Sequence, residues 1–488
     1  MLRGAAMPTC SYNTSVNASV ASEPFFKEVS AVDAQESRYR QIAARHNVAW
    51  DSITPLSFQD RLAQLSECLA NRNVPYPIPQ DRADRYFQSA RSGEPFRIGT
   101  LSDLSVDLGP YANAQLVDTY TFEQHLSWAC LIAQQQRSKH RYACTEYLQG
   151  EKLFQIGGSV IPDFYLLNAR IYQQTLWQLA TVNMIIPAEL FFTCHSRRFF
   201  PVTTFMRALE QDYLQEPDIG HDVAGHVSTF TIPVVAKLMQ SHGVARNMIY
   251  QERDEALAHT IDPARRQAMK RRGDELLLYA ERIYWFTVEF GLVRQENQIR
   301  AYGAGILSSP GETKFSIDSN RPTRILIDPS NDRDLLRLAT TDYLISEYQK
   351  TYFVIRRFEL LESITPERIV RIAKTASMLP HFSWRDLVPG DHVLQVGESA
   401  VSTNEKYLRL AFHSLDTHCQ QGDECLTRTA IRNLRIFAIR PNATQELSEH
   451  FGSQIPSVPA GIMDWFSPRE SAGEFTQVTR PMSLQDQS

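Results

Sequence analysis

The chain has 488 residues, 43% of them apolar and 22% charged, and its 50 Lys and Arg against 55 Asp and Glu leave a net charge of −5. That is enough chain for a large core, and it carries no charge signature of a nucleic-acid or membrane-surface partner, so the expected partner is small. No apolar run reaches the roughly 18 residues of a membrane span, the N-terminal stretch lacks the apolar core of a secretory signal, and seven scattered cysteines form no disulfide framework; the chain therefore reads as cytoplasmic with reduced thiols.

Residues 1–35 are rich in Ser, Ala, Asn and Thr without periodicity and read as a flexible lead. Two helical patterns follow between 36 and 72, ESRYRQIAARHNV and SFQDRLAQLSECLANR, the second with Leu62, Leu65 and Leu69 on one face; they suit a small helical cap. VPYPIP at 74–79 has proline at every second position and is an extended linker, with loop continuing to about 114. Thr121 and Gln124 form a capping-box pattern that opens a long helix closing at Gly150. DFYLLNARIYQQTLWQLATVN reads as a further helix running into MIIPAELFF.

The charges between 252 and 275, including Arg265, Arg266, Lys270, Arg271 and Arg272, read as a solvated helical face interrupted at Pro263. KFSI and RILID after 312 read as short strands. The stretch near 348–358 alternates Tyr, Phe, Val and Ile as a strand pair or a helix-to-strand passage would. Beyond about 380 short strands and loops are expected, and His413, His418, Cys419 and Cys425 there lack the paired spacing of a zinc site.

Two stretches carry chemistry. PDIGHDVAGHV at 217–227 offers His221 and His226, and ERIYWFTVEFGLV at 281–293 sets Glu289 in an apolar run, where an ionised carboxylate requires a cation. Two neutral imidazoles and one carboxylate, with half the coordination sphere left open, are the ligand set of a non-haem Fe(II) oxygenase. A zinc-protease reading fails on spacing: HExxH separates its histidines by four, whereas here the separation is five, about 140° on an ideal helix, and the neighbouring acid is Asp222. Asp218 suits a helix N-cap, placing His221 in the opening turn.

RRFFPVTTFMR, DYLQEPDIGHDVAGHV, IYWFTVEFGLV and AYGAGILSSPGE, together with YTFEQHLSWACLIAQQQRSKHRYACTEYLQG upstream and TDYLISEYQKTYFVI downstream, resemble the pterin-dependent aromatic amino acid hydroxylases, especially the bacterial phenylalanine 4-hydroxylases. The resemblance covers about 115–372. It implies a mainly α fold: a helical catalytic basket with a few short β-strands around one iron, flanked by an extension at 36–114, a charged insertion at about 247–275 and a tail at 373–488 of unknown role. By motif position the iron ligands are His221, His226 and Glu289. Arg207 would grip the substrate carboxylate, Ser308 would support an iron-bound histidine, and Pro217 and Trp285 would line the ring pocket. The tetrahydropterin would stack on Phe191 near Ile186, Asp222 and Tyr284.

The resemblance implies a monooxygenase in which Fe(II), a tetrahydropterin and O2 together hydroxylate the ring of a free aromatic L-amino acid. Trp285 tilts the substrate toward phenylalanine, to give tyrosine or a meta-hydroxylated product. Met184 stands at a glycine position of the family, Asp222 replaces a glutamate, and the ligand spacing is lengthened; these departures bear on pterin use. The alternatives are a hydroxylase of tryptophan or another aromatic compound in specialised metabolism, and a non-catalytic protein that binds iron or an aromatic ligand. Oligomeric state has no signature in the sequence.

Overall fold

The computed structural model describes residues 24–57, scattered positions between 59 and 67, and residues 108–402 apart from 184, 212–215, 378, 380 and 389. Leu62, Leu65, Leu69, the VPYPIP stretch, Met184, His413, His418, Cys419 and Cys425 lie outside the described residues.

Helix α1 (Pro24–His46) begins inside the stretch expected as a flexible lead. Its Tyr39, Ile42 and Ala43 bury against Leu126, Ala129 and Cys130 of α2 (Phe122–Tyr142). The capping box opening α2 forms reciprocally: Thr121 Oγ1 accepts the Gln124 N–H at 3.2 Å, and Gln124 Oε1 accepts the Thr121 N–H at 2.8 Å. The helix does not run to Gly150 as expected. Ala143 and Cys144 turn extended, and the Cys144 N–H donates to Ala301 O at 2.9 Å, so a tertiary strand-like contact replaces the helical one. A second helix, α3 (Thr145–Phe154), then carries Gly150 in its interior, where a Cβ would lie 2.3 Å from Ser228 O. That glycine permits close packing instead of ending a helix.

The next expected helix is likewise cut. Asp163 caps α4 (Phe164–Thr175), Leu176 takes a left-handed φ of 60°, and the chain leaves as a fully buried strand, β1 (Gln178–Val182). After α5 (Ala188–Ser196), β2 (Phe199–Thr203) pairs parallel with β1. A short helical turn, α6 (Ile219–His221), leads through irregular turns into α7 (Pro233–Ala258). The charged insertion folds as a helical hairpin of α7 and α8 (Pro263–Tyr284), with Asp262 capping and Pro263 at the first helical position, where its missing N–H is harmless.

A mixed sheet packs against the turn that carries Glu289. Its order is β4 (Gln298–Ala301), β3 (Leu292–Gln295), β6 (Thr351–Ile355), β5 (Thr323–Ile327) and β8 (His392–Gln395). Short α9 (Ala304–Leu307) and α10 (Pro310–Asp318) connect β4 to β5. KFSI is therefore helix, not strand: Ser309 Oγ accepts the Glu312 N–H and Pro310 opens α10. RILI does form β5. Helices α11 (Asp332–Ala339) and α12 (Pro366–Ala376) complete the basket, and β7 (Asp386–Leu387) pairs with β9 (Val401–Ser402). The fold is mainly α with a few short strands, as the motifs implied.

Where α10 meets β6, a buried carboxyl joins the two. The Gln349 N–H (3.0 Å) and Tyr352 Oη (2.8 Å) donate to Glu312 Oε1, while burial pushes its pKa up from 4.5 to about 7. The unfolded chain therefore ionises first, and this group withdraws stability as pH rises from 4.5 through about 7. Glu312→Gln keeps an acceptor and removes the titration. In denaturant melts, its stability relative to the wild type is expected to rise between pH 5 and 8, by at most a few kcal/mol; parallel pH profiles would contradict this assignment.

Candidate metal centre

Both ligand-bearing segments depart from the α-helix at the point of use. Asp222–His226 and Trp285–Glu289 are each one turn of π-helix, the second closed by the Phe290 N–H donating to Trp285 O at 2.9 Å. Wider closure brings residues five apart closer to one face, which removes the objection that an ideal α-helix raises to the spacing of His221 and His226. Their ring centroids are 5.0 Å apart. Gly225 fits this turn against α9, since a Cβ would sit 2.9 Å from Ala304 O.

The wider turn leaves the Ala224 carbonyl to other donors. Lys139, fully buried, donates from Nζ at 2.7 Å, and Tyr147 Oη donates as well; Glu151 Oε1, 2.9 Å from Nζ, balances the charge. Neither Lys139 nor Tyr147 stood out in the sequence, because a lysine in QRSKHRY reads as surface. Its burial becomes visible once α2, α3 and the π turn are brought together.

Glu289 Oε1 lies 3.1 Å from His226 Nε2, and Oε2 lies 3.9 Å from His221 Nε2. The three ligand atoms fall within 4.8 Å of one another, and this is the sole group of three such side chains among the described residues. Burial pushes the Glu289 carboxyl up, but His226 and His221 outweigh it and hold the group below its ordinary value. Burial, reinforced by His226, pushes His221 down to about 4, so its ring is neutral at pH 7.

The tautomer of His221 is fixed from behind. Ser308 Oγ donates to Gly305 O at 3.0 Å and therefore accepts from His221 Nδ1–H at 3.1 Å, which leaves Nε2 as a bare lone pair facing Glu289. Gln135 anchors Ser308 in turn, its Nε2 donating to Ser308 O at 2.9 Å. A borderline divalent metal fits this donor set of imidazole nitrogen and carboxylate oxygen.

Around the triad the remaining residues divide. Arg207 forms a forked pair with Asp218, from Nε at 2.7 Å and Nη2 at 2.8 Å, so Asp218 both caps α6 through the His221 N–H and orients the guanidinium. Asp222 accepts from the Thr203 N–H (2.8 Å) and Oγ1 (3.0 Å), which ties the π turn to the end of β2; burial pushes its carboxyl up to about 7. Pro217 is half-buried beside this link and accepts from Thr203 Oγ1 at 3.3 Å. Trp285 is half-buried and stacks on Tyr343 with centroids 4.3 Å apart. Phe191 is half-buried, whereas Ile186 and Tyr284 are buried. The pairings of Asp218 and Thr203 were not legible in the sequence beyond the N-cap signal.

The chain matches the family model described as biopterin-dependent aromatic amino acid hydroxylase over residues 110–261 and 272–376, the intervening residues falling at the start of α8. It is 34% identical over 297 residues to phenylalanine-4-hydroxylase of Chromobacterium violaceum, covering 60% of this chain and 90% of that one. It is 37% identical over 284 residues to phenylalanine-4-hydroxylase of Ralstonia nicotianae, covering 58% and 82%. Among solved structures it resembles the Chromobacterium violaceum phenylalanine hydroxylase with bound oxidised Fe(III), and the same enzyme bound to cobalt. Each gives a TM-score of 0.50 at 33% identity over 60% of this chain and 96% of that one. A buried two-histidine, one-carboxylate centre on this helical basket and a family match across more than half the chain converge: this chain belongs to the biopterin-dependent aromatic amino acid hydroxylases.

Proposed function

We propose that this protein is an Fe(II)- and tetrahydropterin-dependent monooxygenase that uses O2 to hydroxylate the ring of free phenylalanine. The observation carrying the reading is the triad itself: His221, His226 and Glu289 present their ligand atoms within 4.8 Å of one another. The similar Chromobacterium violaceum enzyme, with Fe(III) in its structure, and the phenylalanine-4-hydroxylase names of the relatives support the metal and the substrate. We assign residues 115–372 as the catalytic unit, with 36–114 and 373–488 as extensions; the span of the family match supports this division.

When bound, Fe(II) would activate O2 as the oxidant, with the reduced pterin supplying the two electrons that leave one oxygen atom as water. The chain's own residues do the rest. Ser308 holds His221 in the tautomer that offers Nε2. Asp218 orients Arg207, whose guanidinium recognises the amino acid carboxylate by charge and planar hydrogen bonding. Trp285 and Pro217, both half-buried, wall the aromatic ring, and the half-buried ring of Phe191 offers a face on which a planar pterin stacks. Asp222, the acid beside His221, is held to Thr203 instead of reaching outward, and Tyr284 packs edge-on to Phe192, the neighbour of Phe191.

Ser308→Ala removes the acceptor behind His221 and is expected to weaken iron retention roughly 10- to 100-fold, read as metal content after dialysis, with the fold intact. Unchanged retention would mean that the serine does not orient the ligand. The function is tested by oxygen uptake of the Fe(II)-loaded protein with reduced pterin and phenylalanine, tyrosine or tryptophan in turn, with products separated by chromatography. Pterin-dependent uptake yielding tyrosine is expected with phenylalanine. A meta-hydroxylated product would reassign the ring position, turnover of tryptophan the substrate, and absence of uptake with iron bound would favour a binding protein.

A further inference from the structure

Three elements meet beside the proposed pterin face, and each contributes a buried polar side chain whose polar atoms the chemistry above leaves without a partner. His195 comes from α5, His242 from α7 and Tyr284 from the end of α8. His195 and His242 are fully buried and Tyr284 is 4% exposed. They are brought together because α5 and α7 touch backbone to backbone: a Cβ on Gly243 would lie 2.3 Å from Ser196 N and 2.5 Å from Phe192 O. The two imidazoles stand edge-on to the Tyr284 ring, His242 at 5.3 Å and 87°, His195 at 6.1 Å and 90°.

The hydrogen-bonding capacity of the three is complementary. His195 Nδ1 lies 2.8 Å from Phe191 O; a carbonyl can only accept, so Nδ1 carries the proton and Nε2 is an acceptor. The Tyr284 hydroxyl is a donor, and neutral His242 brings one donor and one acceptor. Burial pushes both histidines down to about 3, so neither carries charge at neutral pH. His195 Nε2, both nitrogens of His242 and Tyr284 Oη have no protein partner among the described residues. Leaving four such atoms in an apolar wall would cost about 1–3 kcal/mol for each. A small neutral molecule that both donates and accepts resolves this, and water is that molecule.

We propose that His195, His242 and Tyr284 form an enclosed water-binding site, and that His195 and His242 act through it as positioning residues for Phe191 and Tyr284. The coupling is direct: the His195 ring that accepts from the site is tied to the Phe191 carbonyl and lies 4.3 Å from the Phe191 ring. The site therefore acts first on the ring proposed to carry the pterin. This consequence rests on the reading of Phe191 as the pterin platform, whereas the water site itself does not.

The test compares His242→Leu, which removes both nitrogens at similar volume, with His242→Gln, which restores one donor and one acceptor, in the full-length Fe(II)-loaded protein. His242→Leu is expected to raise KM for the pterin about tenfold, the effect of about one lost buried hydrogen bond, with kcat, KM for phenylalanine and iron content nearly unchanged; His242→Gln recovers most of it. A crystal structure of the full chain is expected to place ordered water in contact with His195 Nε2, a nitrogen of His242 and Tyr284 Oη. A higher melting temperature in His242→Leu with unaltered pterin KM, or a structure in which the three polar groups meet only carbon, would overturn the proposal. Should the wild type show no pterin dependence, the functional reading fails, and the crystal structure still decides whether the water site exists.

Discussion

The site depends on one ionised carboxylate held away from water. Glu289 sits between two imidazoles in a wall of Phe, Val and Tyr side chains, where an unpaired charge would cost several kcal/mol. His226 and His221 outweigh burial and hold the carboxyl below its ordinary value, so the group is ionised where the two rings meet. The arrangement makes physical sense around a divalent cation that both imidazoles and the carboxylate can share, and the immediate surroundings serve that end: Ser308 fixes one tautomer, while Asp218 pins both the start of the ligand helix and the nearest arginine.

Placing the ligands required backbone that an ideal helix does not supply. Two π turns deliver them, and each such turn leaves main-chain groups that an α-helix would have satisfied. At the first, Lys139 and Tyr147 reach in from neighbouring helices to the Ala224 carbonyl. Burial holds the Lys139 pKa below its ordinary value, while Glu151 beside it and the Ala224 carbonyl give its amine two acceptors. The close approaches at Gly150, Gly225 and Gly243 belong to the same logic: each lets backbone or side chain press against the ligand turns or the helices behind them.

What was legible in the sequence were features whose cause is local. The Thr121 and Gln124 capping box, the Asp218 N-cap and the helical face interrupted at Pro263 all appear where the residues require them. The triad was legible because a charged residue in an apolar run is a local anomaly, and the family motifs pointed to the same three residues. Features set by distant contacts were not. The break of the expected long helix at Ala143 is made by a hydrogen bond to Ala301, and the reversal at Leu176 into β1 by pairing with β2. The helix over KFSI has a local cause, the cap at Ser309 with Pro310 after it, which the four residues KFSI do not themselves carry. His195 and His242 carry no local signal in the sequence, and their common position beside Tyr284 exists only in the folded chain.

The account turns on Glu289 being a carboxylate that a divalent metal shares with His221 and His226. The most direct measurement is the melting temperature of wild type and Glu289→Gln, each with and without Fe(II) under anaerobic conditions. The account predicts that Fe(II) raises the melting temperature of wild type clearly more than that of Glu289→Gln, so that the gap between the two widens when the metal is added. If Glu289→Gln is destabilised to the same extent in both conditions, the carboxylate is a structural hydrogen-bonding partner of the histidines and the metal centre is contradicted.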